Sequence, residues 1–176
     1  HHYIASSIQK GIRNFIVSEA DVATKFPGAN FIIVEDVLKA LQLLAQKHRE
    51  QFSIPVIGIT GSNGKTIVKE WLYQLLSPEY NVVKSPKSYN SQVGVPLSVL
   101  NMSEENTLAI FEAGISTQGE MQRLQAIIQP TIGILTNIGP AHDSGFDSRE
   151  QKIREKLKLF AGAEKLICCS DQPELF

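Results

Sequence analysis

Pro55-Val56-Ile57-Gly58-Ile59-Thr60-Gly61-Ser62-Asn63-Gly64-Lys65-Thr66 is the stretch whose reading decides the fold. The apolar run over residues 54–59 reads as a buried strand, and Lys65-Thr66 opens an amphipathic segment that reads as a helix. Between them Gly61-Ser62-Asn63-Gly64 forms a loop whose backbone N–H groups, with the positive end of the helix dipole, suit a phosphate. Lys65 can reach terminal phosphates, and the Thr66 hydroxyl can hold a magnesium ion. The spacing is unusual. In the pattern Gly-x4-Gly-Lys-Ser/Thr the first glycine falls at 59, which is Ile59, whereas the glycines here stand at 58, 61 and 64. A glycine-rich turn that binds nothing is the bland alternative. The strand before it and the helix after it favour a phosphate site with variant spacing.

Working outward, strands alternate with helical segments. Val68, Trp71, Leu72 and Leu75 share one helix face after the loop, and residues 81–83 and 107–112 read as strands. Met121, Leu124, Ile127 and Ile128 mark a helix closed by Pro130; residues 132–135 read as a strand, 149–160 as a helix and 165–169 as a strand. The alternation predicts an α/β fold: a parallel sheet with helices on both faces. Upstream, residues 4–10 form a short helical candidate, 14–17 and 31–34 short strands around the turn at 27–30, and 35–50 a helix. Its apolar positions are Val37, Leu38, Leu41, Leu44 and Ala45, and His48 reads as a solvated helix-end residue. These segments look like the tail of a small α/β unit. The domain boundary is expected at 52/53, and the abrupt opening predicts a chain that begins partway into a domain. His1 and His2 are assigned no role.

A chain of 176 residues with 43% hydrophobic content can bury a core. A net charge of −1 gives no electrostatic reason to expect nucleic acid or a membrane surface. No apolar run approaches the roughly 18 residues of a membrane span, so no membrane insertion is expected. Cys168 and Cys169 are adjacent in an apolar run, where a mutual disulfide is awkward; they read as core residues of a reduced, cytoplasmic protein.

In such a sheet, ligands bind outside the carboxyl ends of the strands. One strand ends in Glu112-Ala113-Gly114, and another in Thr136-Asn137-Ile138-Gly139-Pro140-Ala141-His142-Asp143. Alone, Glu112 could be a solvated strand-end carboxylate and His142 a loop histidine. Lying at the phosphate-loop edge of one sheet, both become candidate metal ligands, because magnesium with a triphosphate needs hard oxygen donors and waters.

The glycine spacing of residues 58–66 resembles the ATP-binding signature of the Mur ligases. Tyr89-Asn90-Ser91-Gln92-Val93-Gly94-Val95-Pro96, Glu112-Ala113-Gly114 with Gln118-Gly119-Glu120, and residues 136–142 with Gly145-Phe146 follow in that family's order. The asparagine-containing segment before Val93-Gly94-Val95-Pro96 and the Gln118-Gly119-Glu120 step are most similar to the MurF type. The segment Val34-Glu35-Asp36-Val37-Leu38-Lys39-Ala40-Leu41 also resembles the end of that type's N-terminal domain.

The resemblance implies a P-loop NTPase-like central domain, with ATP and Mg2+ as cofactors. It implies an ATP-dependent amide ligase that joins D-alanyl-D-alanine to UDP-N-acetylmuramoyl-tripeptide in cell-wall precursor synthesis, through an acyl phosphate. By matching position, Gly61, Ser62, Asn63, Gly64, Lys65, Thr66 and Asn137 would bind the nucleotide, with Lys65 on the β- and γ-phosphates. Thr66, Glu112 and His142 would ligate magnesium, and Asn90 and Ser91 would face the nucleotide-sugar or the phosphates. Lys156 matches a lysine that the family carbamoylates; Lys65, Lys156 and His142 are thus the catalytic candidates. With Lys152, Arg154 and Lys158 beside it, Lys156 could equally belong to a solvated basic face, yet it borders the stripe of Ile153, Leu157 and Phe160.

The family's three-domain plan implies that residues 1–52 are the end of the N-terminal, nucleotide-sugar domain. Residues 53–176 would then be the first part of the ATP-binding domain, with the C-terminal domain absent. Such a chain is expected to be inactive alone, and its parent could carry a fused alanine racemase. Another Mur or folylpolyglutamate-type ligase, or a non-catalytic nucleotide-binding module, would share most of these features.

Overall fold

A computed structural model of the chain describes residues 2–139 and 145–171. They divide into two compact units at Leu41/Gln42. In the first, α1 (Ile4–Gln9), β1 (Asn14–Val17), α2 (Asp21–Lys25) and β2 (Asn30–Ile33) fold around Ile4, Val17 and Val22. β1 and β2 pair in parallel, and Phe15 stacks on its register partner Phe31. The division falls within α3 (Val37–Arg49).

The second unit is built on a five-stranded parallel sheet in the order β4-β5-β3-β6-β7. The strands are β3 (Val56–Thr60), β4 (Val82–Lys84), β5 (Leu108–Glu112), β6 (Ile132–Leu135) and β7 (Lys165–Cys168). Between them run α4 (Lys65–Leu76), α5 (Gly94–Val99), α6 (Glu120–Ile128) and α7 (Arg149–Leu157), the last continued by a 3-10 turn, Lys158–Phe160. The chain steps from β3 one way to β4 and afterwards the other way, so right-handed crossovers send α4 to one face and α5, α6 and α7 to the other. The two buried clusters follow that split. Ile57, Ile59, Leu108 and Ile110 pack with Val68, Leu72 and Leu76 of α4. Ala109, Phe111 and Leu135 pack with Val95, Val99, Met121, Leu124, Ile127, Ile153 and Leu159 on the opposite face. β3 and β5, central in the sheet, are buried along their whole length, as their unbroken apolar runs require.

Several sequence readings are corrected. On α4, Val68 and Leu72 face the sheet, but Trp71 is 63% and Leu75 74% exposed, and the position between the apolar pair is filled by Lys69. The stripe drawn through Trp71 and Leu75 was about 100° off the buried face. On α3 the buried residues are Gln42, Ala45 and Arg49, while Val37 and Leu44 are exposed. His48 is half-buried, with Nε2 3.0 Å from the Met102 carbonyl and its ring edge-on to Phe52. Cys169 is exposed and Cys168 half-buried, because β7 is an edge strand with Leu166 and Ile167 also open. Helices α2 and α5 lay outside the expectation: α2 is a single short turn, and Gly94 and Pro96 in α5 read as loop formers. No helix among the described residues is long and apolar enough to cross a membrane.

Candidate active site

Register brings the site together. Ile59 pairs with Glu112, and Thr60 with Leu135, so β3, β5 and β6 end side by side. The loop after β3 is clamped by the loop after β6: Ser62 N–H donates to Asn137 O (2.9 Å), and Asn63 N–H donates to Asn137 Oδ1 (3.0 Å). Thr136 Oγ1 donates to Asn63 O (2.6 Å), and Gly139 N–H donates to Ser62 Oγ (2.9 Å). Gly61 is required here. At φ +147° it lies where side chains are disfavoured, and a Cβ would stand 1.9 Å from Thr136 Oγ1.

α4 begins at the loop and aims Lys65 and Thr66 back over it. Lys65 Nζ donates to Gly61 O (2.9 Å) and Ser62 O (3.4 Å), and Thr66 Oγ1 donates to Glu112 Oε2 (2.9 Å). Glu112 is fully buried, and its Oε1 accepts no hydrogen bond among the described residues. The Lys69 ammonium lies 3.9 Å from that oxygen. Burial pushes the Glu112 carboxyl above its usual range against the pull of Thr66, Lys69 and Lys65. Burial likewise lowers Lys65, with Glu112 opposing. A buried carboxylate with an unsatisfied oxygen beside a threonine hydroxyl suits a hard cation. Among the described residues no group of three or more His, Cys, Asp or Glu could hold a metal. His142 lies outside the described residues.

α7 brings in Lys156, 2% exposed, whose Nζ donates to Gly61 O at 3.3 Å. Burial, and then the charges of Lys65 and Lys152, lower its pKa to about 8. A cleft of about 380 Å³ opens between these groups, lined by Lys65, Asn90, Ser91, Ser116, Glu120 and Lys156 among others. Ser91 Oγ accepts from Gly94 N–H (3.1 Å) at the start of α5, and Asn90 O accepts from Gly114 N–H (2.7 Å). The structure therefore gathers Gly61, Ser62, Asn63, Lys65, Thr66, Asn90, Ser91, Glu112, Asn137 and Lys156 at the carboxyl edge of one sheet.

Sequence reasoning missed Lys69 and Glu155. Glu155 Oε1 accepts from Gly119 N–H (2.8 Å) and Met121 N–H (3.2 Å), which ties α7 to the start of α6. The available signal was position. Lys69 falls between Val68 and Leu72 on the apolar face of α4, and Glu155 lies beside Lys156.

Residues 59–175 match the model of the Mur ligase middle domain. The chain belongs to the Mur ligase family. Within that family it is similar to the UDP-N-acetylmuramoyl-tripeptide–D-alanyl-D-alanine ligase of Bacillus subtilis, 33% identical over 99% of this chain and 39% of that protein. Its fold is similar to MurF from Acinetobacter baumannii, with a TM-score of 0.84 and 31% identity over 93% of this chain and 35% of that one. MurF ligase from Thermotoga maritima, solved in complex with ADP, aligns at TM-score 0.81 and 27% identity over 94% of this chain and 45% of that one. The chain thus spans less than half the length of the Mur ligases it matches.

Proposed function

We propose that this chain is the phosphate-binding part of a MurF-type amide ligase, which joins D-alanyl-D-alanine to UDP-N-acetylmuramoyl-tripeptide at the expense of ATP. Residues 1–52 belong, in this reading, to the end of the nucleotide-sugar domain, and 53–176 to the start of the ATP-binding domain. The observation that carries it is the convergence of Lys65, Thr66, Glu112 and Lys156 at the carboxyl edge of one sheet, with Lys65 and Lys156 lining the cleft beside Asn90 and Ser91. The similarity to ligases of that name supports the same substrates. The ADP complex of a relative supports a nucleotide on the loop of residues 61–66.

The chemistry needs positioning and charge neutralisation more than a protein nucleophile. The tripeptide carboxylate attacks the γ-phosphorus of ATP, ADP departs and an acyl phosphate remains. The dipeptide amine then attacks the acyl carbon, and inorganic phosphate leaves with the carbon–oxygen bond pair. Lys65 turns from its loop carbonyls to the phosphate oxygens, and the backbone N–H groups of residues 61–66 cradle them. Thr66 and Glu112 would hold magnesium, with His142 a further candidate ligand; when bound, the ion neutralises phosphate charge. Asn90 and Ser91, which line the cleft beside Lys65 and Lys156, face the nucleotide-sugar.

Lys156 is suited to carbamoylation. An amine adds carbon dioxide only when neutral, and with a pKa of about 8 roughly a quarter of Lys156 is neutral at pH 7.5. The amine nitrogen bonds the carbon, one C=O pair moves onto oxygen, and a proton goes to solvent. The product is an anion at the phosphate edge and a further candidate metal ligand.

The test is ADP release by the full-length polypeptide supplied with Mg·ATP, UDP-N-acetylmuramoyl-tripeptide and D-alanyl-D-alanine. Multiple-turnover release that requires both substrates and falls by about a hundredfold or more in Lys65→Ala is expected. Continuous release without the dipeptide, beyond the one ADP per site that acyl phosphate formation allows, or release unchanged in Lys65→Ala, overturns the reading.

A further inference from the structure

Lys69 is fully buried on the sheet side of α4, between the phosphate-loop helix and the loop that follows β4. Its ammonium donates to Ser85 O (2.8 Å) and to Lys87 O, and stands 3.3 Å from Glu70 Oε1 and 3.9 Å from Glu112 Oε1. Among the described residues it makes no hydrogen bond to the phosphate loop. A buried ammonium is costly unless its donors are used, and two of its acceptors are backbone carbonyls that solvent does not supply here.

Those carbonyls begin a chain of contacts that ends in the cleft. Ser85 is bound on both sides: its N–H donates to Ile110 O (3.1 Å), and its Oγ accepts from Glu112 N–H (3.2 Å). Lys87 is held at φ 49°, a left-handed conformation that a side chain adopts only at a cost. After it, Tyr89 N–H donates to Pro86 O (3.1 Å) and Asn90 O accepts from Gly114 N–H. Asn90 closes against Gly114 so tightly that a Cβ on the glycine would stand 2.9 Å from Asn90 Oδ1. Asn90 and Ser91 then line the cleft beside Lys65 and Lys156. One cation thus supports both the turn that presents the cleft asparagine and the neighbourhood of the buried carboxylate.

We propose that Lys69 is a positioning residue of the ligase site: its ammonium fixes the turn at residues 85–87, and so sets Asn90 and Ser91 against the cleft next to Glu112. This rests on the ligase reading above. It touches no reacting atom, and its hydrogen bonds go to the turn while Glu112 stands 3.9 Å away, so its effect falls mainly on the substrate that Asn90 and Ser91 meet and only weakly on the nucleotide held by Lys65 and the loop.

The full-length polypeptide is assayed for the KM of each substrate in wild type, Lys69→Met, Asn90→Ala and the double variant. If Lys69→Met does not fold, Lys69→Gln, which loses the charge and reaches one atom less far, is expected to shift the same KM in the same direction by less. Expected is a KM for UDP-N-acetylmuramoyl-tripeptide raised roughly tenfold or more, with that for Mg·ATP within about threefold, because a lost hydrogen bond from a charged donor acts on one segment only. In the Asn90→Ala background Lys69→Met adds little further. A fall in kcat with both KM values unchanged, a parallel rise in both, or full additivity with Asn90→Ala overturns the proposal.

Hydrogen exchange on this chain separates it from the ligase reading. Selective loss of protection at the Gly114 and Tyr89 amides supports the role of Lys69 even if wild type releases no ADP. Unchanged or uniformly lost protection overturns it.

Discussion

Lys156→Met removes a buried ammonium while leaving most of its volume, and it is expected to stabilise the fold in a pH-dependent way. Among the described residues Lys156 makes one hydrogen bond, to Gly61 O at 3.3 Å, and that oxygen keeps its bond from Lys65 at 2.9 Å, so the substitution orphans no acceptor. The folded pKa is lowered from 10.5 to about 8, first by burial and then by the charges of Lys65 and Lys152. Between those values the unfolded chain binds more protons than the folded one, so stability rises with pH across this window. Below about 8 both states carry the charge and the full cost is present; above 10.5 neither does. The gap corresponds to about 3 kcal/mol. Lys156→Met is therefore expected to be more stable than wild type by about 3 kcal/mol at pH 7, less any packing mismatch of the thioether. In a chain of this size that is a rise in Tm of about 6–12 °C. The advantage decays as pH climbs through 8 towards 10.5. Urea unfolding at a series of pH values, in buffers purged of carbon dioxide so that the amine stays free, reads the difference directly. A difference that is constant with pH, or a variant less stable than wild type at pH 7, refutes the reasoning.

Two further substitutions test how the site is framed. Gly61→Ala must adopt φ +147° and push Thr136 Oγ1 away from a Cβ 1.9 Å distant, so a loss of about 2–4 kcal/mol is expected, together with loss of calorimetric Mg·ADP binding. A thermal midpoint equal to wild type would contradict it. Arg49→Met strips hydrogen bonds from Ile128 O, Phe52 O and Gln129 O, three carbonyls that one buried guanidinium serves. The expected cost is about 3–5 kcal/mol, read as a lower urea midpoint at unchanged m-value, and a cost below about 1 kcal/mol would show that water replaces the arginine.

The elements that were legible are those in which one periodicity dominates. β3 and β5 are uninterrupted apolar runs, and both are buried throughout, because a central strand of a parallel sheet has no solvent face. α6 carries Met121, Leu124, Ile127 and Ile128 at helical spacing, and all four are buried. The misread faces are those where apolar residues ring a helix. On α4, Ile67, Val68, Trp71, Leu72, Leu75 and Leu76 occupy about half the circumference, so composition does not say which arc meets the sheet. A lysine took part of the buried arc because backbone carbonyls across the fold, at Ser85 and Lys87, were there to receive it. α5 was illegible for another reason. Gly94 and Pro96 are loop formers locally, and the turn forms with Ser91 accepting from Gly94 and with Val95 and Val99 buried on the sheet.

What the sequence determined by itself is the order of parts and the chemistry each can bring. A strand, a glycine loop and a lysine-threonine helix start are contiguous, and contiguity is enough to mark a candidate phosphate cradle. Glu112, Asn137 and Lys156 were legible as candidates at strand ends or on a core-bordering helix face. Only the tertiary structure decided what surrounds them. Glu112 meets Thr66 because β3 and β5 pair in a particular register; Asn137 becomes the clamp of the loop because β6 lies on the other side of β3. Lys156 has a lowered pKa because α7 buries it beside Lys65 and Lys152. Burial, register and the number of charges sharing one cavity are properties of chain segments far apart in sequence. No local pattern encodes them, and they turn a list of reactive residue types into a site.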